Sequence, residues 1–213
     1  DGSVFCWGTT ANGRIGTGQT SGYSTRPAQI SFGGKTVESI SGHATHACAV
    51  ISGSQELYCW GKNNRGQIGN GSTSDSYSPS PASVSGILGG GKTIKQVKAS
   101  YDHTCVLISN GDVYCWGAGD KGQLGNGSTS DSMSPVKVNM PSITADNTIR
   151  EIYSGNNFAC ALTTRGYAYC WGENWHYQLG NGSSSNALTP TSLSTPGRII
   201  GGSAIKLRTE YAK

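Results

Sequence analysis

Charged residues are scarce in this chain of 213 residues: Asp, Glu, Lys and Arg make up 13% of it, against ~25% in an average protein. No apolar run approaches the ~18 residues of a membrane-spanning helix. The net charge is only +4, which argues against a highly charged disordered chain. The 32 glycines, with abundant Ser, Thr and Asn, argue against a coiled coil or helical bundle, because these residues are poor in helix interiors. The hydrophobic fraction of 35% is enough for a core, so the composition predicts an all-β, turn-rich protein.

The sequence contains an internal repeat. The triplet Cys-Trp-Gly occurs four times, and its tryptophans are Trp7, Trp60, Trp116 and Trp171. Each is followed by a glycine-rich block: GRIGTG, GQIGNG, GQLGNG or YQLGNG. A fixed order of segments at a period of about 55 residues indicates a repeat architecture. The repeat units are predicted to end near residues 18, 71, 127 and 182, and 183–213 hold the last loop, followed by a closing strand or a degenerate last repeat.

Six of the seven cysteines lie in pairs on predicted hairpins. Two of the hairpins are expected to have three-residue loops, with Gly111 and Gly166 at the position that needs a left-handed backbone. The third is expected to have a two-residue Gly53-Ser54 turn. In each hairpin the cysteines fall opposite each other, within disulfide range. The spacing therefore predicts three bridges, with buried reduced thiols as the alternative: Cys48–Cys59, Cys105–Cys115 and Cys160–Cys170.

Cys6 is the odd cysteine, and it matches the second member of each pair. Its partner would lie about ten residues upstream, before Asp1. The opening residues DGSV also correspond to the hairpin turn NGDV of a later repeat. These two observations predict that the chain is a slice of a longer polypeptide.

The motif HTCVLISNGDVYCWG, followed by GQLGNG and a proline-containing loop, resembles RCC1-type repeats, and the cysteine-bearing form resembles bacterial secreted or surface members. The resemblance covers almost the whole chain. It implies an all-β fold, a β-propeller of four-stranded blades that is incomplete here, with about four of an expected seven blades. The remaining blades would come from the same longer chain or from another chain.

The tryptophans alternate with the cysteines along each strand, so they face the other side of the sheet and are expected to pack between blades. The fourth repeat departs from the pattern at Trp175, His176 and Tyr177, where Tyr177 replaces a glycine. These three aromatic residues are candidate contacts for a protein or carbohydrate ligand. The alternative is local packing against the IIGGSAIKL segment.

Residues that suggest catalysis have simpler explanations in the repeat. The segment from Gly86 to Thr93 fits a phosphate-binding loop, but a β-type segment rather than a helix follows it. No catalytic set and no metal-ligand spacing can be assembled, so we predict no enzyme activity, no catalytic residue, no metal and no cofactor. The three Asn-Gly-Ser acceptor sites coincide with turns, and their glycosylation stays open.

The predicted function is a non-catalytic extracellular or cell-surface binding or scaffold propeller, part of a larger surface protein, adhesin or filament. Disulfides favour this location, since cytosolic and nuclear pools keep thiols reduced. The alternatives are a secreted propeller that inhibits a protein target and a guanine-nucleotide exchange factor-like role. A pI of 8.7 is too weakly basic to indicate nucleic-acid binding, and no direct membrane insertion is expected.

Overall fold

Antiparallel strands are the main regular secondary structure of the computed structural model, which describes residues 2–142 and 144–193. Two short 3₁₀ turns, Ala11–Gly13 and Ser85–Ile87, interrupt them. The strands in these residues are β1 (Val4–Thr9), β2 (Tyr23–Ile30), β3 (Val37–Gly42), β4 (His46–Ile51), β5 (Leu57–Gly61), β6 (Ser76–Pro81), β7 (Ile94–Ala99), β8 (His103–Ile108), β9 (Val113–Gly117), β10 (Ser132–Lys137), β11 (Ile149–Ser154), β12 (Phe158–Thr163), β13 (Ala168–Gly172) and β14 (Ala187–Ser192).

The strands form successive antiparallel sheets, which we call blades 1 to 4. Blade 1 has β1 and β2 in the described part of the chain, and blades 2, 3 and 4 are the four-stranded sheets β3–β6, β7–β10 and β11–β14. Each four-stranded blade pairs its strands in chain order. Short turns join the first three strands, and a longer segment with the glycine-rich bend and the Ser/Thr loop leads to the fourth. The all-β fold with four-stranded, propeller-type blades is thereby confirmed. The predicted closing strand or degenerate repeat near the C-terminus falls on residues outside the described ones.

The hydrophobic core lies between the blades rather than inside a single sheet. One buried cluster joins residues of blades 2 and 3, and another joins blades 3 and 4. Trp116 and Trp171 are fully buried in these two clusters, and Trp60 is fully buried between blades 1 and 2. These three tryptophans therefore pack between blades, as predicted.

The repeat boundaries read from the sequence lie inside the blades. Units ending near residues 71 and 127 stop after the third strand of blades 2 and 3, and the fourth strands, β6 and β10, follow those boundaries. The fourth strand passes back along the third, as in Tyr58↔Pro81 and Gly61↔Ser76. The structural unit is thus offset from the sequence unit by one strand.

The three disulfides are present, and in each the cysteines are direct cross-strand partners. Their Cα atoms lie 4.0–4.1 Å apart. Gly111 and Gly166 end three-residue loops with φ of 88° and 86°, as predicted. Cys6 is a free, half-buried thiol in the described residues.

The turn predicted at Gly53-Ser54 is wrong in length. The last backbone hydrogen bond before the turn runs from the amide of Ile51 to the carbonyl of Glu56, which leaves a four-residue loop. Gln55 takes a left-handed φ of 58°, and its side-chain oxygen accepts the amide hydrogen of Ile94 in blade 3. The last residue of this loop thus contacts the neighbouring blade, and a pattern within one hairpin cannot reveal that contact.

Removing one bridge tests how much a disulfide contributes. Replacing Cys105 and Cys115 together with alanine is expected to lower the free energy of unfolding by about 3 kcal/mol, because the bridge restricts the unfolded chain. Urea denaturation followed by tryptophan fluorescence measures the change. Cys6→Ala is the control, expected within about 0.5 kcal/mol of the parent. Equal stability of the double variant and the parent would contradict the prediction.

Candidate binding surface at the glycine-rich bends

Each blade carries a tight bend after its tryptophan strand, and in blades 2 and 4 an asparagine organises it. Asn63 Nδ2 donates to the carbonyls of Ser72 and Ser74, both at 2.9 Å, and its Oδ1 accepts the amide of Ile68 at 2.9 Å. Asn174 makes the same contacts in blade 4. Both asparagines are fully buried. In these two blades, a buried asparagine therefore ties the bend to the Ser/Thr loop through side-chain hydrogen bonds to the backbone.

Each of three bends receives the tryptophan of the following blade. The indole Nε1 of Trp60 donates to the carbonyl of Arg14 at 3.2 Å, that of Trp116 to Gln67 at 2.9 Å and that of Trp171 to Gln123 at 3.0 Å. Under each ring lies a glycine with positive φ: Gly16, Gly69 and Gly125. Because a Cβ atom there would come within 2.5–2.8 Å of the indole, glycine is required by the close approach as well as by the backbone.

A charged contact reinforces the junction of blades 2 and 3. The Arg65 guanidinium donates to both oxygens of Asp131 and, at 2.9 Å, to Asp120. The pKa of the Asp131 carboxyl is lowered, first by the hydrogen bond from Arg65 and also by the backbone amide of Gly119. The corresponding contact between blades 1 and 2 joins Asn12 to Asp75 at 2.9 Å. The bend residue at this position therefore reaches the Ser/Thr loop of the next blade.

The structure brings Trp175, His176 and Tyr177 together on the bend of blade 4, where all three are exposed. Lys121 of blade 3 places its Nζ 5.2 Å from the Trp175 ring, a cation–π contact. Tyr177 has φ 59°, the left-handed conformation that glycine takes at this position in the other three bends. The trio is thus an exposed aromatic ridge on a rigid bend. The alternative partner, the IIGGSAIKL segment, lies outside the described residues.

Two buried histidines lie where successive blades meet, and their environments differ. His46 Nε2 donates to Thr104 Oγ1 at 2.7 Å, since the threonine hydroxyl gives its own hydrogen to the carbonyl of Gln67 at 2.8 Å. His103 holds the equivalent place in blade 3, but neither of its ring nitrogens makes a hydrogen bond of good geometry. Ala159 occupies the position of Thr104, opposite the blade's tryptophan, so no hydroxyl is available.

Burial lowers the pKa of His46 to about 3 and that of His103 to about 3. Part of the lowering at His46 comes from the charges that His103, His43 and Lys62 can carry nearby, and the backbone of Asn156 acts weakly in the opposite direction on His103. Both rings are neutral at physiological pH, so they are structural groups of the blade junctions.

Giving His103 a hydroxyl partner is expected to stabilise the protein. Ala159→Thr reproduces the arrangement around His46 and should raise the free energy of unfolding by about 1–2 kcal/mol. Ala159→Val, with the same shape and no hydroxyl, is the matched control and should give no such gain. Urea denaturation with the disulfides intact measures both. A threonine variant no more stable than the valine variant would contradict the account of His103.

Sequence reasoning missed the contacts between blades. No pattern within one repeat shows which residue of the next blade Arg65, His46 or His103 contacts. An acidic residue at the same place in two Ser/Thr loops, Asp75 and Asp131, was the available signal.

Among residues 2–142 and 144–193, no group of three His, Cys, Asp or Glu side chains could hold a metal ion. No helix in that part is long and apolar enough to cross a bilayer.

The sequence matches the family described as "Regulator of chromosome condensation (RCC1) repeat" at residues 1–50, 54–107, 110–162 and 165–204. The chain is 33% identical over 199 residues to the human E3 ubiquitin-protein ligase HERC2, covering 90% of this chain and 4% of HERC2. It is 30% identical over 199 residues to the ultraviolet-B receptor UVR8 of Arabidopsis thaliana, covering 92% of this chain and 43% of UVR8.

Solved structures share the fold. Human WBSCR16 superposes with a TM-score of 0.80 at 22% identity, covering 94% of this chain and 50% of that one. Prp20p of Saccharomyces cerevisiae gives 0.74 at 22% identity, covering 91% and 47%. The chain thus spans half or less of the proteins it resembles. With repeat motifs matched over nearly its whole length and blades arranged as in these structures, this chain belongs to the RCC1 repeat family.

Proposed function

We propose that this chain is part of a non-catalytic, protein-binding propeller that works outside the cell or at its surface. The observation that carries the location is the set of three cross-strand disulfides, one in each of blades 2, 3 and 4. Structural disulfides persist in oxidising compartments and are rare where glutathione and thioredoxin reduce them. Short bridged hairpins also suit a module exposed to proteases, because they limit local unfolding.

Its relatives support a binding role. Yeast RCC1 (Prp20) has been solved bound to Kap60, and Prp20p is described by its binding to Gsp1p and histones. In this chain the bends are rigid and carry an exposed aromatic ridge of Trp175, His176 and Tyr177, the kind of anchor that protein interfaces favour. A guanine-nucleotide exchange factor-like role in a reducing compartment is disfavoured, because the bridges would be reduced there.

A thiol count tests the location. The protein is alkylated at the moment of lysis of its source cells and analysed by mass spectrometry without reduction. An extracellular module should carry at most one alkylated cysteine among the seven, whereas seven alkylated cysteines would overturn the proposal. Labelling of intact cells with an antibody against this chain gives the second readout, and it should stain cells that have not been permeabilised.

A further inference from the structure

Blades 2 and 3 share most of their contacts with blades 3 and 4, and we call the two places the 2/3 junction and the 3/4 junction. Each has a buried cluster of eleven hydrophobic residues that includes one tryptophan, Trp116 or Trp171. Their indole Nε1 atoms donate to the preceding bend at 2.9 Å and 3.0 Å. The bend amides of Gly71 and Gly127 donate to the following blade at 3.0 Å and 2.9 Å. Because these contacts match, a difference in strength between the junctions must come from other contacts.

The 2/3 junction has three additional polar contacts: Arg65 to Asp131, His46 to Thr104 and Lys62 to Asp102. The guanidinium binds both carboxylate oxygens, and His46 Nε2 lies 2.7 Å from the threonine hydroxyl in a fully buried place. The side chains of the Lys62–Asp102 pair, 3.3 Å apart, are only 25% and 16% exposed. Partial burial makes such contacts stronger than ion pairs in open water, so each of them resists separation of the blades.

At the 3/4 junction the residues of these three contacts are replaced. The register aligns the blade 3 residues Asp131, Thr104 and Asp102 with the blade 4 residues Asn186, Ala159 and Asn157. On the blade 3 side, Ala118 stands where blade 2 has a lysine. None of the three contacts therefore exists between blades 3 and 4 in the described chain.

The partners that remain in blade 3 have weaker contacts. Lys121 stands at the position of the arginine, and its Nζ lies 3.6 Å from Asp120 of the same blade and 5.2 Å from the exposed Trp175 ring of blade 4. His103 stands at the position of the first histidine, and its buried ring nitrogens make no hydrogen bond of good geometry. Opening the junction lets water reach this ring, which reduces the free energy needed to separate the blades.

We propose that blades 3 and 4 separate transiently in the folded protein while blades 2 and 3 stay joined. The movement takes the Trp171 ring away from Gly125 and breaks the hydrogen bond from Gly127 to blade 4. Folded proteins open locally where stabilising contacts are fewest, and at this junction an apolar core of the same size lacks the polar contacts. Blades 2, 3 and 4 each have four strands in the described chain, so the weaker junction lies inside the chain.

Hydrogen exchange at two matched amides tests the proposal. Gly71 and Gly127 lie in identical segments, NGSTSDS at 70–76 and 126–132, so their exchange rates in an unfolded chain are equal. NMR on the whole isotope-labelled chain, with its bridges oxidised, measures both rates at neutral pH. Gly127 is expected to exchange at least ~10-fold faster than Gly71, because the junction that protects it opens more often. The indole hydrogens of Trp171 and Trp116 should show the same order.

Restoring two of the missing groups should strengthen the 3/4 junction. Ala159→Thr combined with Asn186→Asp, the restored variant, gives blade 4 the threonine and the aspartate that blade 3 has. Exchange at Gly127 is expected to become about 10-fold slower, with Gly71 unchanged. The new carboxylate keeps the acceptor oxygen that the Asn174 amide uses at 3.0 Å, so the local fold of blade 4 is retained.

The reverse exchange is the matched control. Thr104→Ala combined with Asp131→Asn removes the same two groups from the 2/3 junction, so exchange at Gly71 should become about 10-fold faster. Equal rates at Gly71 and Gly127 in the parent would overturn the proposal. A restored variant with an unchanged circular dichroism spectrum that still exchanges at Gly127 like the parent would also overturn it, because opening would then depend on the position of blade 4 and not on its contacts.

Discussion

Acidification from pH 7 to pH 4 is expected to lower the free energy of unfolding by about 6 kcal/mol through His46 and His103 alone. Both have a folded-state pKa of about 3, against about 6.5 in the unfolded chain. The unfolded chain therefore binds more protons in this range, so stability is complete above pH 6.5 and declines as the pH falls toward 3. Each histidine contributes about 3 kcal/mol at pH 4, from a shift of about 1.4 kcal/mol per pH unit.

The fourth blade supplies the control for this prediction. Phe158 occupies the position of His103 there, although it is only half-buried, and phenylalanine carries no titratable group. His103→Phe should remove about half of the loss between pH 7 and pH 4 while leaving the fold intact. Urea denaturation at a series of pH values, with the bridges oxidised, gives the two curves. Parallel curves for parent and variant would show that the buried ring is not a source of acid sensitivity.

Replacing Gly69 with alanine is expected to lower the free energy of unfolding by about 4 kcal/mol. The new Cβ would lie 2.5 Å from Trp116 Nε1, and this ring is fully buried and hydrogen-bonded to the Gln67 carbonyl. The ring cannot retreat without leaving the core between blades 2 and 3, and overpacking of this kind typically costs about 1–3 kcal/mol. The positive φ of 77° adds about 1–2 kcal/mol.

Gly71→Ala separates the two costs. Gly71 has φ 79°, almost the same as Gly69, but nothing lies within 4 Å of its Cβ position. This variant should lose only about 1 kcal/mol, the conformational cost alone. Thermal and urea unfolding of the pair, followed by tryptophan fluorescence, measure the difference. If the two variants lose the same amount, the close approach of indole and glycine does not restrict the fold.

Features set by neighbours within one hairpin could be predicted from the sequence. The spacing of ten residues in Cys105–Cys115 fixes both the opposed cysteines and the loop that ends at Gly111, because an antiparallel ladder advances one residue on each strand. The Gly53-Ser54 turn failed for the complementary reason. There the pairing stops at Ile51 and Glu56, and the last loop residue, Gln55, is bound through its side chain to Ile94 of the next blade.

In the candidate site, too, local features could be predicted from the sequence, whereas contacts between blades could not. The sequence indicated Trp175, His176 and Tyr177 because they break a repeat, and the structure shows them exposed on one bend. Only the structure shows what surrounds the matching glycine in the other blades: a strand of the following blade lies directly on Gly13, Gly66 and Gly122. Comparison of the repeats shows that a glycine is missing at Tyr177. The reason why the other repeats need glycine at this position is a contact with the following blade.

By itself, then, the sequence determined the repeat, the family, the bridged hairpins and the absence of a recognisable catalytic motif, since these follow from local spacing and residue type. Only the tertiary structure decided to which blade each fourth strand belongs and that Arg65 binds Asp131. It also decided that Ala159 lies next to His103 where a threonine lies next to His46. The contacts of Arg65, His46 and His103 join residues more than 50 positions apart, and they depend on how one twisted sheet is rotated onto the next. No pattern within a single repeat encodes that rotation.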